Sequence, residues 1–321
     1  MKKIFLLFFI SNILFAQEYY IYKLKGGINL DGKLDEEIWN KIPTATGFKI
    51  TGTKIYAKRQ TYFKAFYDDE NIYLGIICKE PEMDKIIASS KDKGAASLWE
   101  EDSIEIFFQP DKETNYYQFI INAMGSRWCG KYLGKGQGRV DFGYDWNVGS
   151  YKNKDYYSLE VIIPFKIINK KPVKGEKWRV NISRNILTNP EERLTSWPNF
   201  KVIDFHELEE FGYFIFNEDL NYSEIEKIEE EINKDYILYK KIYKKKLTEE
   251  FLGYEKEVKE LLKKPKFKNE IGPIAEKMDE IKKVSRERIN LKELEKIEDL
   301  AQMIEKLKEI KSRALIEELF E

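Results

Sequence analysis

The sequence has very little histidine and cysteine and no excess of either charge. It contains 321 residues with one histidine, two cysteines, 55 basic residues and 56 acidic residues. A single histidine excludes metal sites built from several histidines and disfavours Ser-His-Asp and Cys-His catalytic centres. Two cysteines cannot form a disulfide scaffold or a four-cysteine zinc site. A net charge of −1 lacks the basic surface that is typical of nucleic-acid binding, so we expect no nucleic-acid partner.

The aromatic and charged residues that are present divide the chain into two parts. All six tryptophans precede residue 200, whereas residues 221–321 contain none and are charged at 49 of 101 positions. Acidic and basic residues balance in both parts, so these differ in charge density rather than in sign. We predict a signal peptide over 1–16, a β-sandwich over 17–219 and a charged helical region over 220–321.

The first residues have the pattern of a secretory signal peptide. Lys2 and Lys3 precede an uncharged apolar run that ends at Ala16 and is too short to span a bilayer. The pattern predicts a secreted, periplasmic or cell-surface protein with no membrane span in the mature chain; an uncleaved N-terminal anchor is the alternative. Because export permits oxidation, Cys78 and Cys129 become candidates for a disulfide.

Short segments that alternate apolar and polar residues, separated by turns, fill residues 20–217. Such a pattern predicts a mainly β fold, an antiparallel β-sandwich of jelly-roll type. Alternation places Glu105 and Asn122 on the sheet face opposite the core. The residues predicted to face the core in the same strands are Ile104, Ile106, Phe108, Phe119, Ile121, Trp178, Val180 and Ile182.

The segment 99–105 is the first candidate for chemistry, because Trp99 stands beside four carboxylates. Three interpretations are open: a catalytic carboxylate pair as in glycoside hydrolysis, a solvated loop, or a ligand platform. In the third, an aromatic ring covers the apolar face of a sugar while polar groups take its hydroxyls. Trp197 supplies a second tryptophan in a predicted loop, with core filling as its alternative.

Two other groups have simpler structural interpretations. Asp68-Asp69-Glu70 carries oxygen ligands that suit calcium, but it lies between two β-rich runs and fits a hairpin turn better. The single histidine, His206, has no nucleophile motif near it and is predicted to form a structural hydrogen bond.

Several segments in order resemble a family 9 carbohydrate-binding module, within the wider DOMON-like sandwich group. The resemblance runs from about residue 28 to residue 216. The segments that carry it are Leu30–Trp39, Phe66–Leu74, Trp99–Phe107, Ser196–Trp197, Phe205–His206 and Phe211–Phe214.

The resemblance implies a noncatalytic sandwich that holds a sugar end between two tryptophans, Trp99 and Trp197. Glu105 and Asn122 would then contact sugar hydroxyls. Ser183 occupies a position from which a longer amide side chain could reach the ligand. The resemblance also implies a structural calcium ion without assigning its ligands. The chain departs from the family's sugar-binding pattern at Ile120, where a member that binds sugar has an arginine.

The C-terminal region repeats apolar residues every three or four positions between glutamates and lysines. This spacing predicts a charged helical hairpin or coiled coil, with two antiparallel helices of about 40 residues. Lys264-Pro265 and Gly272-Pro273 are the predicted breaks. The apolar stripe would serve self-association or a protein partner.

Four functional hypotheses remain open on the sequence. The first is a secreted, noncatalytic protein that binds poly- or oligosaccharides and acts in their catabolism. The others are an exported enzyme associated with glycoside hydrolysis, a haem- or redox-binding DOMON-like domain, and a structural or assembly protein whose sandwich has lost its ligand. Haem needs axial ligands, for which the chain offers His206 and five methionines.

Overall fold

A computed structural model describes residues 16–89, 97–111, 115–135, 138–141, 145–283 and 291–318. The predicted signal peptide lies outside these residues except for Ala16. The chain forms two compact units, Met1–Ile232 and Asn233–Glu321. Within the described residues, none of the helices combines the length and apolarity needed to cross a membrane.

One curled sheet forms most of the first unit, in the order β8-β7-β6-β5-β11-β13-β1-β3-β4-β10-β9, with β12 and β2 beside β11. The strands are β1 (Glu18–Lys23), β2 (Lys49–Ile50), β3 (Thr61–Tyr67), β4 (Asn71–Lys79), β5 (Ser103–Gln109), β6 (Tyr116–Asn122), β7 (Arg127–Tyr132), β8 (Val140–Asp141), β9 (Asn147–Lys152), β10 (Tyr156–Pro164), β11 (Lys177–Asn185), β12 (Leu194–Ser196) and β13 (Gly212–Asn217). The mainly β, sandwich-like fold is confirmed, but the sheet is mixed. Strand β1 runs parallel to both β3 and β13, while the other described pairs are antiparallel.

The sheet curls around one large apolar core. All eight residues that the alternation assigned to the core lie there and are completely buried. Tyr19 on β1 packs its ring 5.1 Å from that of Phe63 on β3 and 5.3 Å from that of Phe214 on β13. Its hydroxyl also donates to the Pro43 carbonyl oxygen at 2.7 Å. Strand β1 thus joins the two halves of the sheet, and its Tyr19 side chain packs into the core between β3 and β13.

The opening Asp-Gly and Trp residues pack against the outer surface of β10. Glu160 of β10 accepts hydrogen bonds from the Trp39 indole N–H at 2.9 Å and from the Gly32 backbone N–H at 2.8 Å. Its neighbours across the sheet are Gly75 and Gly149. A Cβ on Gly149 would come within 2.5 Å of backbone, so glycine is required for this close approach. Trp39 lies on α1 (Glu37–Asn40), and a second short helix, α2 (Phe165–Ile168), follows β10.

The first C-terminal helix, α3 (Ile225–Ile232), belongs to the sandwich unit rather than to the helical unit. Ile232 joins the main core, and Glu229 accepts a hydrogen bond from the Thr44 backbone N–H at 2.7 Å. The division between the units therefore falls at 232/233, thirteen residues after the predicted boundary at 219/220.

The second unit contains α4 (Lys234–Gly253), α5 (Glu255–Leu262), α6 (Lys268–Lys283) and α7 (Leu291–Glu318). A charged helical region is confirmed, but the prediction of two helices of about 40 residues is wrong. The first predicted helix is divided after Gly253, and the predicted break at Lys264-Pro265 is confirmed, whereas α6 continues through the predicted break at Gly272-Pro273. The buried apolar residues of this unit include Leu247, Phe251, Val258, Leu261, Phe267, Ile271, Ile274, Met278, Leu300, Ile304, Leu307 and Ile310.

The two cysteines do not form the disulfide that export would allow. Cys78 on β4 and Cys129 on β7 are both reduced thiols buried in the main core. Burial raises the pKa of the Cys129 thiol to about 12, so the thiolate needed for disulfide chemistry is scarce.

Candidate functional site

The residues of β5, β6 and β11 that face away from the main core form a buried, mainly polar layer around Glu105. Antiparallel pairing places Ser183 and Ile120 beside Glu105 on either side, and Asn122 beside Ser103. This arrangement confirms that Glu105, Asn122 and Ser183 share one face. We call it the Glu105 face, consisting of Ser103, Glu105, Gln118, Ile120, Asn122, Asn181, Ser183 and Asn185.

Glu105 is the centre of a hydrogen-bond network. Its carboxylate accepts from Asn185 Nδ2 at 2.8 Å and from Gln118 Nε2 at 2.6 Å. The Tyr132 hydroxyl donates to Gln118 Oε1 at 2.7 Å, which orients the amide so that its NH₂ group points at Glu105. Burial raises the pKa of Glu105, and the two amide donors oppose that increase. Glu105 is only 4% exposed, so the network is closed to solvent.

Asn122 fixes the loop that follows β6. Its Oδ1 accepts from the backbone N–H groups of Met124 at 3.0 Å and Ser126 at 2.9 Å, while its Nδ2 donates to Glu101 at 2.7 Å. Glu101 in turn accepts from the Ser89 hydroxyl at 3.0 Å. The Asn122 side chain is therefore engaged by the protein on both its oxygen and its nitrogen.

Asp102 connects two loops at the start of β5. It is completely buried and accepts from the backbone N–H groups of Ile87 at 2.8 Å and Leu187 at 2.9 Å. Burial raises its pKa, and these two backbone hydrogen bonds oppose the increase. Asp102 and Glu101 thus satisfy donors from the loops that meet at the start of β5.

Trp99 presents its side chain to solvent directly before β5. It lies in the helical turn Leu98–Glu100 and is 47% exposed, whereas the other five tryptophans are buried. The preceding Leu98 is completely buried and packs with Ile120 and Trp128. Leu98 anchors the turn, and Trp99 therefore points outward from a fixed base.

Trp197 does not form the second half of a clamp, so that prediction is wrong. Strand β12 pairs with β11 so that Ser196 lies opposite Ser183, and the next residue falls on the core face. The Trp197 ring is completely buried, meeting Phe63 edge to face at 5.1 Å and covering Gly212. The core-filling alternative for this tryptophan is correct.

Ile120 makes apolar contacts on the Glu105 face, at the position where a family member that binds sugar has an arginine. It forms a small buried cluster with Leu98 and Trp128. Beside Glu105, the Ser183 hydroxyl donates to Asn181 Oδ1 at 2.7 Å.

Three members of the Glu105 network were not predicted from the sequence: Asn185, Gln118 and Tyr132. Extending the alternation of β11 by two residues past Ser183 would have found Asn185. The alternation of β6 puts Gln118 on the same face as Asn122, but its contact with Glu105 depends on strand pairing. No sequence pattern revealed Tyr132.

The remaining candidate residues have structural partners. His206 shares a 2.7 Å hydrogen bond with the Tyr116 hydroxyl, and burial lowers its pKa. Asp68 accepts from the backbone N–H groups of Glu70 and Asn71, which is a turn geometry. Among the residues that the structure describes, acidic, histidine and cysteine side chains do not gather in threes as a metal site needs. The Asp68 hydrogen bonds agree with the hairpin-turn interpretation of Asp68–Glu70.

The comparisons with known proteins agree with the fold. A Bacteroides uniformis protein described as a candidate carbohydrate-binding protein has a TM-score of 0.53 at 17% identity, over 63% of this chain and 100% of its own. A family 9 carbohydrate-binding module from Caldicellulosiruptor kristjanssonii in complex with glucose has a TM-score of 0.45 at 17% identity, over 63% and 98%. The same organism's module in complex with cellotriose gives 0.45 at 16%, over 64% and 96%. None of the curated proteins matches the chain. The family described as carbohydrate family 9 binding domain-like matches residues 30–218, more than half of the chain, and the chain belongs to that family.

Proposed function

We propose that this protein is a secreted, noncatalytic carbohydrate-binding protein with Trp99 as its sugar platform. The observation that carries the proposal is the exposed Trp99 ring on a buried base, directly before β5, in a member of a carbohydrate-binding family. A flat aromatic ring covers the C–H face of a pyranose and leaves the sugar hydroxyls to solvent and to nearby polar groups.

The Glu105 face contributes Ile120 to the buried cluster that anchors Leu98, the residue before Trp99. Glu105 is held by Asn185 and Gln118 and is almost inaccessible, so it organises the base of the site and does not offer a free acceptor. A rigid base lowers the entropy cost of ligand binding because few side chains have to be ordered.

A noncatalytic role agrees with the hydrogen bonds of the carboxylates that follow Trp99 in the sequence. Glycoside hydrolysis needs two carboxyl groups that flank a bond of the substrate. Here the Glu101 and Asp102 oxygens are occupied by Asn122, Ser89 and two backbone N–H groups. Export through the N-terminal leader would place such a protein among extracellular polysaccharides, where binding assists their catabolism.

The test is calorimetric titration of the protein with glucose, cello-oligosaccharides and a panel of other neutral oligosaccharides. We expect saturable binding of at least one glycan and a loss of roughly tenfold or more in affinity on Trp99→Ala, since buried aromatic anchors dominate such contacts. Trp99→Phe is the matched control and should retain part of the affinity. Absence of heat with every glycan, or unchanged affinity in Trp99→Ala, would refute the proposal.

A second candidate function is a structural or assembly role for a sandwich that no longer binds sugar. The observation that favours it is the closed Glu105 face, where Ile120, Leu98 and Trp128 form apolar contacts in place of a charged donor. The same titration decides between the two, because this candidate predicts no glycan binding by the wild-type protein.

A further inference from the structure

A cavity of about 480 Å³ opens at the end of the sheet where β5 finishes and β11 begins. Gln109 is the last residue of β5, Lys177 is the first of β11, and Tyr213 lies on the neighbouring β13. The full lining is Gln109, Pro110, Asp111, Lys177, Arg179 and Tyr213. This mixture of a phenol ring, an amide and charged groups suits a small polar ligand.

The cavity is separate from the Glu105 face. Phe107 lies between Glu105 and Gln109 on the same side of β5, and it is completely buried. It belongs to an apolar cluster that divides the two regions, consisting of Phe107, Tyr116, Phe200, Phe205 and Phe211. A ligand in the cavity would therefore bind independently of the Trp99 platform.

The contact between Arg179 and Glu209 indicates that the cavity can bind a carboxylate. Arg179 donates to the two oxygens of the Glu209 carboxylate at 3.0 Å and 2.7 Å, the paired geometry in which arginine recognises carboxylates. Gln109 Oε1 accepts from the same guanidinium at 3.2 Å. The Arg179 side chain is 16% exposed, whereas that of Glu209 is 82% exposed. The guanidinium is thus held in the wall, whereas the carboxylate that pairs with it belongs to a side chain exposed to solvent.

The other charges in the lining leave room for an incoming anion. Asp111, the acidic residue of the lining, is already bound by Lys170. Lys177 lies with Nζ 6.0 Å from the centre of the Tyr213 ring and pairs with Glu18 at 2.6 Å, at the surface of the unit. A ligand carboxylate that replaced Glu209 on Arg179 would have Lys177 and the Tyr213 ring within the same cavity.

We infer that this cavity binds the carboxylate of an acidic sugar, a uronate residue of a polysaccharide, with Glu209 as the group that it displaces. The guanidinium takes the sugar carboxylate through two hydrogen bonds, Tyr213 offers an aromatic surface to the ring, and Gln109 and Lys177 meet hydroxyls. The inference does not depend on the neutral-sugar site at Trp99.

The experiment is calorimetric titration with trigalacturonate, neutral galactotriose and an N-acetylated dipeptide that has a free terminal carboxylate. Glu209→Gln removes the competing carboxylate from Arg179, so trigalacturonate should bind roughly twofold to fivefold more tightly than to the wild type. Arg179→Lys loses the paired geometry and should weaken it about tenfold or more. Glu191→Gln, which changes an exposed carboxylate outside the lining, is the control and should match the wild type.

Each titration result either supports or overturns a uronate site in this cavity. Tightening in Glu209→Gln with no gain for galactotriose or the dipeptide supports it. No trigalacturonate binding, or equal affinity in wild type and Glu209→Gln, overturns it. Equal binding of the dipeptide overturns the assignment to a sugar. Because Glu209 is highly exposed, its variant keeps the fold even if Arg179→Lys does not. Trp99→Ala should leave trigalacturonate affinity at the cavity unchanged, which separates this result from the test of the neutral-sugar site.

Discussion

Asn185 Nδ2 lies 2.8 Å from Glu105 Oε1, and this hydrogen bond joins the end of β11 to β5. Asn185→Ala would remove it together with the bond to Ser103, leaving a buried carboxylate with one donor fewer. We expect a loss of about 1–3 kcal/mol in the free energy of unfolding. Because all six tryptophans belong to the sandwich unit, denaturation followed by tryptophan fluorescence measures this unit specifically. Asn147→Ala at an exposed strand position is the control and should change stability by less than about 0.5 kcal/mol.

The pH dependence of stability should show the burial of Glu105. Its folded pKa is raised above the usual 4.5 by desolvation, so the folded state holds this proton more tightly than the unfolded state. The resulting stabilisation is complete below the unfolded pKa and is lost as the pH rises through the folded value. The stability of the wild type relative to Glu105→Gln should therefore decrease from acid towards neutral pH. A stability difference between the wild type and Glu105→Gln that stays constant from acid to neutral pH would contradict the assignment.

The two loop tryptophans of the sequence should behave in opposite ways when removed. Trp197→Ala empties a completely buried site against Phe63 and should cost about 3–5 kcal/mol. Trp99→Ala removes an exposed ring and should change the free energy of unfolding by less than about 0.5 kcal/mol. Fluorescence-detected denaturation of both variants checks this contrast. A large loss in Trp99→Ala would mean that its ring is part of the core.

Glu160 should be essential for holding the opening segment on the sheet. Glu160→Ala removes the acceptor for the Trp39 indole and for the backbone N–H of Gly32, and these donors lie in a buried environment. We expect a loss of about 3 kcal/mol or more, since each orphaned donor costs about 1–3 kcal/mol. Glu160→Gln keeps one acceptor oxygen and should cost less. Equal losses in both variants would show that the carboxylate charge, and not its acceptor geometry, stabilises the segment.

The sequence predicted the fold well where local alternation determines it. The strands that carry Ile104, Phe119 and Trp178 face the core as expected, because a period of two depends on neighbouring residues alone. The parallel pairing of β1 with two strands distant in sequence is a long-range property that no local pattern expresses. The helical region was identified by its spacing, and its first division falls at Gly253, a residue type that weakens a helix.

The candidate site was predicted in part for the same reason. Alternation within each strand puts Glu105, Asn122 and Ser183 on the side away from the core. Strand pairing then brings the three residues together on one face. Trp197 was misplaced because the sequence did not reveal that β12 extends the sheet up to Ser196 and turns the next residue inward. The partners that occupy Asn122 come from the loops around it, which the periodicity does not describe.

Quenching of tryptophan fluorescence by acrylamide shows directly whether a bound sugar covers the Trp99 ring. Trp99 is exposed and the other five tryptophans are buried, so the free protein should show one accessible fraction that Trp99→Phe abolishes. Addition of a saturating glycan, identified by calorimetry, should remove that fraction from the wild type. If the glycan binds and the accessible fraction persists unchanged, the sugar lies elsewhere and Trp99 is not its platform.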